Sequence, residues 1–362
     1  MRLSRLAIRG FRNLADGELD VPPRGFALVG QNGQGKTNLL EAAYYLVLLR
    51  SFRGATDSEL VAFNGAGFHV EAAFEGESVG SLTATFVAAG RRKRVTSDNV
   101  EERRLTVAIG RWLAVVFLPG DVELAGGPAV GRRRFLDRML SLAEPAYLRA
   151  LLRYRGALAR RNAALRQQQG DVARACEPIL AAEGALLVER RVAWAAGAAE
   201  AFAGELAGLN ESGQATLGYT GRPELAQPGA WSEAFARSFA TDRARGLTTI
   251  GPHRDDVALA IDGQPLRVYG STGQLRSAAI ALKLLELATL RERRGVEPAL
   301  LLDDVFAELD GARQRRLATR LMGDGQRQMF VTAPRGDELP SQLDLPRWTM
   351  DGGRATPGRE CA

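Results

Sequence analysis

Hydrophobic and polar positions along this chain predict strands first, then long helices, then an alternation of the two. Up to about residue 130, alternating or continuous apolar segments are separated by glycines, which is typical of strands joined by turns. The predicted strands here are residues 2–9, 18–21, 26–29, 68–74, 81–88 and 107–117. The first two are expected to pair as a hairpin around residues 10–17.

Residues 136–209 change to alanine, leucine and arginine at helical spacing. Leu148, Leu151 and Leu158 fall near one helix face, and residues 167–170 interrupt the pattern. We expect two helices of about 25–35 residues joined by a short turn, which together form an antiparallel helical hairpin. Ordinary helices of a separate bundle domain fit this pattern equally well.

The rest of the chain mixes both kinds of element. Predicted strands are residues 215–219, 257–261, 264–268, 299–302 and 328–332, and predicted helices are residues 232–245, 275–294 and 312–322. Asp262 and Gly263 form a hairpin turn signal between two of these strands. Strands that alternate with helices in this way predict an α/β fold.

Residues 30–37 read GQNGQGKT and match the whole P-loop pattern, with an apolar strand before it and a helix-like stretch after it. In such a loop, backbone N–H groups and the helix N-terminus point at phosphate oxygens. The candidate nucleotide-binding residues are Gly30, Gln31, Asn32, Gly33, Gln34, Gly35, Lys36, Thr37 and Asn38. The sequence therefore predicts a nucleoside triphosphate site.

Two side chains of this loop have separate expected roles. Lys36 is expected to reach the outer phosphates as a catalytic residue, and Thr37 to give its hydroxyl to Mg²⁺. Lys36 is notable because only three of the 48 lysines and arginines in this chain are lysines. A compact ammonium suits phosphate binding here better than a planar guanidinium does.

An apolar run at residues 300–302 ends in two carboxylates, Asp303 and Asp304. We expect Asp303 to hold Mg²⁺ and Asp304 to polarise the water that attacks the phosphate. By itself this pattern is often a plain strand end, but a P-loop upstream makes it a catalytic candidate. The long insertion between the two motifs excludes small GTPases.

Residues 271–274, STGQ, open the helix predicted from Leu275. A helix N-terminus with a serine and a glycine is a second phosphate-binding device, although a simple N-cap at Ser271 is the more common arrangement. One triphosphate cannot easily use two complete phosphate sites in one subunit. We therefore expect Ser271, Gly273 and Gln274 to reach a nucleotide held by another subunit.

Composition and charge limit the classes of protein to which this chain can belong. The 362 residues carry a net charge of +6, which fits either an arginine-rich composition or a polyanionic partner. No apolar run approaches membrane-spanning length, and the first residues lack the apolar core of a signal peptide. Cys176 and Cys361 lie too far apart for a disulfide framework. We expect a cytoplasmic protein with no membrane partner.

Longer strings of residues resemble a known family. RGFRNL at residues 9–14, GPHRDD at 251–256 and LLDDVFAELD at 301–310 accompany the P-loop in this order. Over nearly its whole length the chain resembles the ABC-type ATPase heads of chromosome-maintenance and repair proteins, and in detail the RecF family. The resemblance implies an α/β P-loop NTPase head, with a mixed sheet around the P-loop helix and a helical hairpin lobe.

The resemblance also implies boundaries and a function. The nucleotide-binding lobe would cover residues 1–135, the helical lobe 136–210 and the rest of the head 211–362. Residues 215–245 could belong to either of the last two. The family implies ATP-dependent homodimers, weak DNA-stimulated ATP hydrolysis, and binding to single-stranded DNA and to gapped or junction duplexes. It also implies work with RecR and RecO to direct RecA onto gaps in DNA repair, replication, recombination and the SOS response. Arg12 would lie near the nucleotide, and residues 307–310 would cross the dimer interface.

Two departures affect these expectations. Ala307 stands where serine is common in the family, so one cross-subunit hydrogen bond that the resemblance implies is not expected from this side chain. Thr332 stands where transporter ATPases have a histidine, which argues against the alternative of a transporter's ATP-binding subunit. A second alternative, a nucleotide-gated DNA scaffold with negligible turnover, stays open. The helical hairpin is too short for a long coiled-coil machine.

Candidate DNA contacts are the basic clusters at residues 91–94, 103–104 and 132–134, although a solvated surface is the default for each. No cluster interleaves aromatic residues with arginines, so base stacking on single strands is not indicated, and we expect backbone electrostatics to dominate any DNA binding. We expect His253 to be structural, with Arg254, Asp255 and Asp256 satisfied inside a buried polar turn.

Overall fold

The computed structural model describes residues 1–76, 80–307, 309–323 and 327–358. Glu308 of the expected interface loop and Cys361 lie outside the described residues. The chain divides into two compact units, the first Met1–Gly120 with Leu290–Ala362 and the second Asp121–Thr289.

The strands and helices are numbered in chain order. The strands are β1 (Arg2–Arg9), β2 (Gly17–Asp20), β3 (Gly25–Val29), β4 (Gly67–Glu75), β5 (Ser81–Val87), β6 (Arg92–Ser97), β7 (Val100–Glu101), β8 (Ala114–Phe117), β9 (Ala215–Thr220), β10 (Asp256–Ile261), β11 (Gln264–Pro265), β12 (Ala299–Leu302), β13 (Met329–Ala333), β14 (Arg347–Asp351) and β15 (Arg354–Pro357). The helices are α1 (Lys36–Leu48), α2 (Asp57–Leu60), α3 (Leu105–Ala108), α4 (Val122–Gly126), α5 (Ala129–Ala143), α6 (Pro145–Arg166), α7 (Gly170–Ala175), α8 (Glu177–Gly208), α9 (Ala230–Arg245), α10 (Leu266–Tyr269), α11 (Thr272–Arg294) and α12 (Gly311–Met322).

The first unit contains two sheets. One is antiparallel with the order β2-β1-β4-β5-β6-β7, and its strands alternate buried and half-exposed positions, as expected for a sheet with one face in the core. The predicted hairpin of β1 and β2 is confirmed. Helix α1 is buried along most of its length and contacts β4 and β5 of this sheet and β8 and β13 of the other.

The second sheet has the order β15-β14-β3-β13-β12-β8, and its strands are parallel except for β15 at the edge. Strands β3, β8, β12 and β13 are almost wholly buried, as their continuous apolar residues predict. In a parallel sheet all carboxyl ends meet at one edge, so the P-loop after β3 and the two aspartates after β12 lie at the same edge.

The second unit packs α5, α6, α8, α9 and the three-stranded sheet β11-β10-β9 around one hydrophobic core. Because the sheet and α5 share this core, the unit is wider than the helical lobe expected at residues 136–210. Ion pairs between α6 and α8 join Arg161 to Glu177 and Arg153 to Glu183. The reversed order of these partners shows that the two helices are antiparallel, as the predicted hairpin requires.

The predicted first helix of that hairpin is interrupted. It begins before residue 136, within α5, and breaks at Glu144, whose backbone is extended (φ −134°) because Pro145 follows. Pro145 then takes the first position of α6, where its missing N–H costs nothing. Helix α6 has 22 residues and α8 has 32.

Two other local predictions differ from the structure, and one hairpin was missed. Only Ala114–Phe117 of the segment 107–117 is a strand, and α3 precedes it. The strand predicted at 264–268 ends at Pro265, because the chain turns into α10 there. The hairpin of β14 and β15 was not predicted, although Gly352 and Gly353, both with positive φ, supply its two-residue turn.

Candidate functional site

The P-loop joins β3 to α1 and depends on glycine at several positions. Gly33 and Gly35 have φ of 83° and 114°, conformations that side chains other than glycine rarely adopt. Gly30 passes so close to the backbone of β14 that a Cβ there would lie 2.4 Å from the carbonyl oxygen of Met350. The sequence GQNGQG therefore fits this path because its glycines sit where the path requires them.

The side chain of Lys36 is buried at the start of α1, with only 4% of the residue exposed. Its Nζ donates to the carbonyl oxygen of Gly30 at 2.7 Å. It also lies 3.4 Å from the carbonyl oxygen of Gln31 and from Oδ1 of Asn32. The loop's own oxygens hold the ammonium inside the loop, whose tip at residues 31–33 is exposed.

Neighbouring side chains hold the loop in shape from two sides. Asn13 Nδ2 donates to the carbonyl oxygen of Gly33 at 3.0 Å, and Asn38 Nδ2 donates to Asn13 Oδ1 at 2.7 Å. On the other side, the N–H of Gly352 donates to Gln34 Oε1 at 2.7 Å. Asn38 and Gln34, expected to bind nucleotide, thus also support the loop, and Asn13 is a supporting residue that the motif did not reveal.

Thr37 and Asp303 meet at the carboxyl edge of the parallel sheet. The Thr37 hydroxyl lies 2.9 Å from both carboxylate oxygens of Asp303 and donates to them. Burial raises the pKa of the Asp303 carboxyl above its ordinary value, and hydrogen bonds from Thr37 and Thr332 act in the opposite direction. The predicted pair is therefore brought together across 266 positions of sequence.

Thr332 at the end of β13 joins the two aspartates. Its hydroxyl lies 2.9 Å from Asp303 Oδ1 and 3.1 Å from Asp304 Oδ1, and it accepts the N–H of Asp304 at 2.9 Å. Asp304 has a left-handed backbone (φ 49°), which is uncommon for a residue other than glycine. Thr332 thereby fixes the carboxylate pair by direct hydrogen bonds.

Arg12 forms an ion pair on α1. Its Nε and Nη2 donate to the two carboxylate oxygens of Glu41 at 2.8 and 3.1 Å. Glu41 is fully buried and also accepts a short hydrogen bond from the Ser51 hydroxyl. Sequence reasoning missed Glu41, because a glutamate in a helix is ordinarily a surface residue. Arg12 was expected near the nucleotide, and its guanidinium is held by this carboxylate.

Ser271 and Gln274 form a capping box at the start of α11. The N–H of Ser271 donates to Gln274 Oε1 at 2.9 Å, and the N–H of Gln274 donates to Ser271 Oγ at 3.2 Å. Ser271 and Thr272 are exposed, and Gly273 is half-buried. The N-cap alternative is therefore observed, and a role toward phosphate stays a prediction.

The segment at residues 307–310 leads into α12. Asp310 is the N-cap of that helix, and its Oδ1 accepts the N–H groups of Ala312 at 3.0 Å and Arg313 at 2.9 Å. These hydrogen bonds lower the pKa of the Asp310 carboxyl. Ala307 is exposed.

His253 of the GPHRDD segment is enclosed by hydrogen bonds within the second unit. Its Nδ1 lies 2.7 Å from the Tyr154 hydroxyl, and its Nε2 lies 3.0 Å from the carbonyl oxygen of Thr248. Burial lowers the pKa of His253 to about 4. These contacts agree with a structural role for His253, whereas Arg254 is exposed rather than buried as expected.

The acidic pair that follows engages the cluster at residues 132–134. Arg132 donates to both carboxylate oxygens of Asp256 at 2.7 Å, and Arg133 donates to the carbonyl oxygen of Asp255 at 2.8 Å. The Asp255 carboxylate accepts a short hydrogen bond from Tyr219. Since Arg132 is only 5% exposed, the proposal that this cluster contacts DNA is wrong for Arg132.

The cluster at residues 91–94 divides between two faces of β6. Lys93 bonds Asp57 at 2.8 Å and the carbonyl oxygen of Leu49 at 2.8 Å, and its Nζ lies over the Tyr45 ring. The exposed arginines of the remaining clusters are Arg91, Arg92, Arg94, Arg103 and Arg104.

Oxygen donors at the sheet edge fit a magnesium ion in their chemistry. A threonine hydroxyl and a carboxylate are hard oxygen ligands of the kind that Mg²⁺ uses beside phosphates. Among the described residues, no group of three or more His, Cys, Asp and Glu side chains is arranged to hold a metal on its own. In the same part of the chain, every helix is too short or too polar to cross a membrane.

No protein-family model matches the chain. Among curated proteins, the DNA replication and repair protein RecF of Anaeromyxobacter dehalogenans (strain 2CP-C) is 40% identical over 329 residues, which cover 88% of each chain. The protein of the same name from Anaeromyxobacter sp. (strain Fw109-5) is 37% identical over 370 residues and 99% of each chain.

Two solved structures agree with these relatives. A structure of the recombination mediator protein RecF with ATP in the RecFOR pathway matches with a TM-score of 0.88 at 28% identity, covering 98% of this chain and 97% of the other. An Smc head bound to a domain of ScpA matches with a TM-score of 0.54 at 16% identity, which supports the ABC-type ATPase head fold alone. The chain belongs to the RecF family.

Proposed function

We propose that this chain is an ATP-dependent DNA-binding repair protein that uses ATP to close two copies of itself on DNA. The observation that carries the proposal is the contact of the Thr37 hydroxyl with both oxygens of Asp303, 2.9 Å each, beside the P-loop. A P-loop threonine and an aspartate at the end of a neighbouring strand are the two ligands that hold Mg²⁺ in P-loop ATPases. The ATP-bound RecF relative supports ATP as the nucleotide.

Each residue of the site has a proposed task. Thr37 and Asp303 would hold Mg²⁺, which supplies charge neutralisation at the outer phosphates. Lys36 would exchange the loop carbonyl oxygens that now accept its hydrogen bonds for phosphate oxygens of ATP. Asp304, oriented by Thr332, would accept the proton of the attacking water.

The exposed capping box at Ser271 supports a site completed by a second copy. Its hydroxyl and the N-terminus of the long helix α11 are accessible to a partner's triphosphate. Hydrolysis would then require two copies, each supplying a P-loop and the 271–274 segment for the other. Binding of ATP would act as the trigger for closure, and hydrolysis would reset it.

The wider role is proposed from the relatives. A RecF structure assigned to the RecFOR pathway supports RecR and RecO as partners, with RecA directed to single-strand gaps as the outcome. Weak, DNA-stimulated ATP hydrolysis in the cytoplasm fits this role. Thr332, in place of the histidine of transporter ATPases, is committed to Asp303 and Asp304 and gives no support to a transporter.

The test compares wild type, Lys36→Ala and Ser271→Arg by ATP binding, sedimentation velocity and ATPase rate, with and without DNA. Lys36→Ala should lose ATP binding. Ser271→Arg should bind ATP as a monomer and fail to dimerise or hydrolyse. Ser271→Asp is the matched variant, because aspartate keeps an N-cap acceptor while its charge repels phosphate. If both Ser271 variants dimerise and hydrolyse ATP normally, the shared site is wrong, and hydrolysis indifferent to DNA would contradict the repair role.

A further inference from the structure

A single aromatic ring stands in solvent at one end of the antiparallel sheet. Phe63 is 95% exposed, although its turn is firmly held. The N–H of Gly65 donates to the carbonyl oxygen of Ala62 at 2.8 Å, and the N–H of Ala62 donates to the carbonyl oxygen of Gly10 at 2.7 Å. Next to this turn, Val61 forms an isolated antiparallel β-bridge with the buried Phe11. The backbone thus fixes the position of a ring that packs against little of its own chain.

Three arginines lie at the same end of this sheet. The N–H of Ala88 donates to the carbonyl oxygen of Ala66 at 2.8 Å, which joins the Phe63 turn to the turn between β5 and β6. Arg91 belongs to that turn, and Arg92 opens β6. Arg9 closes β1, which pairs with β4 at this end.

These arginines are available for an external partner. All three are exposed, and within the described residues none has a carboxylate oxygen within 4.0 Å. Two carboxylates of neighbouring loops already accept backbone hydrogen bonds, Asp16 from Gly10 at 2.8 Å and Glu59 from Thr56 at 2.6 Å. Both carboxylates keep their negative charge, so the three arginines outnumber them and leave a positive excess among these groups.

We propose that this end of the sheet binds a single-stranded segment of DNA, with Phe63 stacked on an unpaired base and Arg9, Arg91 and Arg92 on its phosphates. This inference rests on the proposed function as a DNA-binding protein. It adds which surface binds DNA and that the bound DNA is single-stranded. An exposed ring at the same end of a sheet as several exposed guanidinium groups matches the alternation of base faces and phosphates along a single strand. Base faces inside a duplex are covered by their neighbours, so the ring favours unpaired DNA.

The sequence-based expectation was that base stacking on single strands is not indicated. That expectation looked for aromatic residues within the arginine clusters, and Phe63 lies far from Arg91 in sequence. Strand pairing of β4 with β5 and of β5 with β6 brings the two turns together. Only the fold reveals the combination.

The first experiment measures binding by fluorescence anisotropy in ATP and Mg²⁺, with a labelled oligothymidine and a fully paired duplex of equal length. Phe63→Ala should weaken binding to the single strand about 5- to 150-fold, the range of one lost stacking contact, and change duplex binding little. Arg91→Ala with Arg92→Ala should weaken binding to both and reduce the single-strand salt slope by about 0.7 per arginine. Ile179→Ala and Arg237→Ala, exposed residues of the second unit, are matched controls that should change neither.

A second experiment uses Phe63→Trp as a reporter that keeps an aromatic ring. The chain's four tryptophans, Trp112, Trp194, Trp231 and Trp348, are all buried. The new indole should therefore be the one accessible to acrylamide. Addition of oligothymidine should quench its emission and protect it from acrylamide, and the variant should bind the single strand as wild type does.

The outcomes separate this inference from the proposed function. If wild type binds single-stranded DNA and Phe63→Ala binds it equally well, the inference is wrong and the function stands. If wild type binds neither DNA, the proposed function fails with it. If Phe63→Ala instead changes self-association in sedimentation without DNA, the surface is a protein interface and the inference is overturned.

Discussion

At the scale of single residues, two buried carboxylates hold the side chains around the P-loop. Asp303 is held by two threonine hydroxyls, and burial raises its pKa, so a cation at this position would stabilise its charged form. Glu41 is held by Arg12 and Ser51. The motif identified Asp303, because P-loop chemistry demands an acidic partner. It did not identify Glu41, since nothing in the sequence shows which face of α1 is buried.

Glu41→Gln should destabilise the first unit by about 1–3 kcal/mol, because it leaves the Arg12 guanidinium without its buried counter-charge. The measurement is urea unfolding followed by circular dichroism. Arg335→Ala removes a surface ion pair with Glu338 and should cost less than about 0.5 kcal/mol. Equal stability of Glu41→Gln and wild type would show that the Arg12 pair contributes nothing.

At the scale of elements, the sequence predicted most strands and helices and failed where a neighbour decided the outcome. Strands β12 and β13 were predicted correctly, because a parallel strand buried on both faces requires a continuous apolar run. The segment before β8 was mistaken for strand, since its apolar residues are as compatible with α3. The break between α5 and α6 was missed because it depends on a single residue, Pro145. The burial of α8 against Trp231 could not be predicted, because a hydrophobic pattern shows that one helix face is buried but not which residues pack against it.

Gly184 and Gly197 of α8 should respond oppositely to alanine. A Cβ at Gly184 would lie 2.4 Å from Trp231 Cζ2, so Gly184→Ala should destabilise the fold by about 2–3 kcal/mol through overpacking. A Cβ at Gly197 meets nothing within 4 Å, so Gly197→Ala should stabilise by about 0.5–1 kcal/mol through helix propensity. Thermal melts of the two variants check this. Similar shifts of both in one direction would contradict the packing of Trp231 on α8.

The His253 turn should make the second unit sensitive to acid. The pKa of His253 is about 4 when folded against an ordinary value of 6.5, so the unfolded chain takes up a proton first as pH falls. Stability from this residue is present above pH 6.5 and is lost as pH falls towards 4, by up to about 3 kcal/mol. His253→Gln should flatten urea-unfolding stability over this interval relative to wild type. Parallel pH profiles of the two proteins would show that His253 is not the group responsible.

At the scale of the whole molecule, the residues of the proposed shared ATP site belong to different units of the chain. The P-loop, Asp303 and Asp304 belong to the first unit, and the Ser271 capping box belongs to the second. Membership of the RecF family could be inferred from the sequence, because strings such as GPHRDD and LLDDVFAELD are specific. The Phe63 surface could not, because it forms from turns that only the sheet brings together.

We propose that two copies share each ATP site, and mixing two inactive variants is the decisive test of this sharing. Lys36→Ala lacks a working P-loop, and Ser271→Asp lacks only the proposed segment for its partner. A mixed dimer pairs the intact P-loop of the second with the intact Ser271 of the first. We predict that ATPase activity, absent from each variant alone, appears on mixing with DNA. A mixture that stays as inactive as its components, or full activity of Ser271→Asp alone, would contradict a shared ATP site.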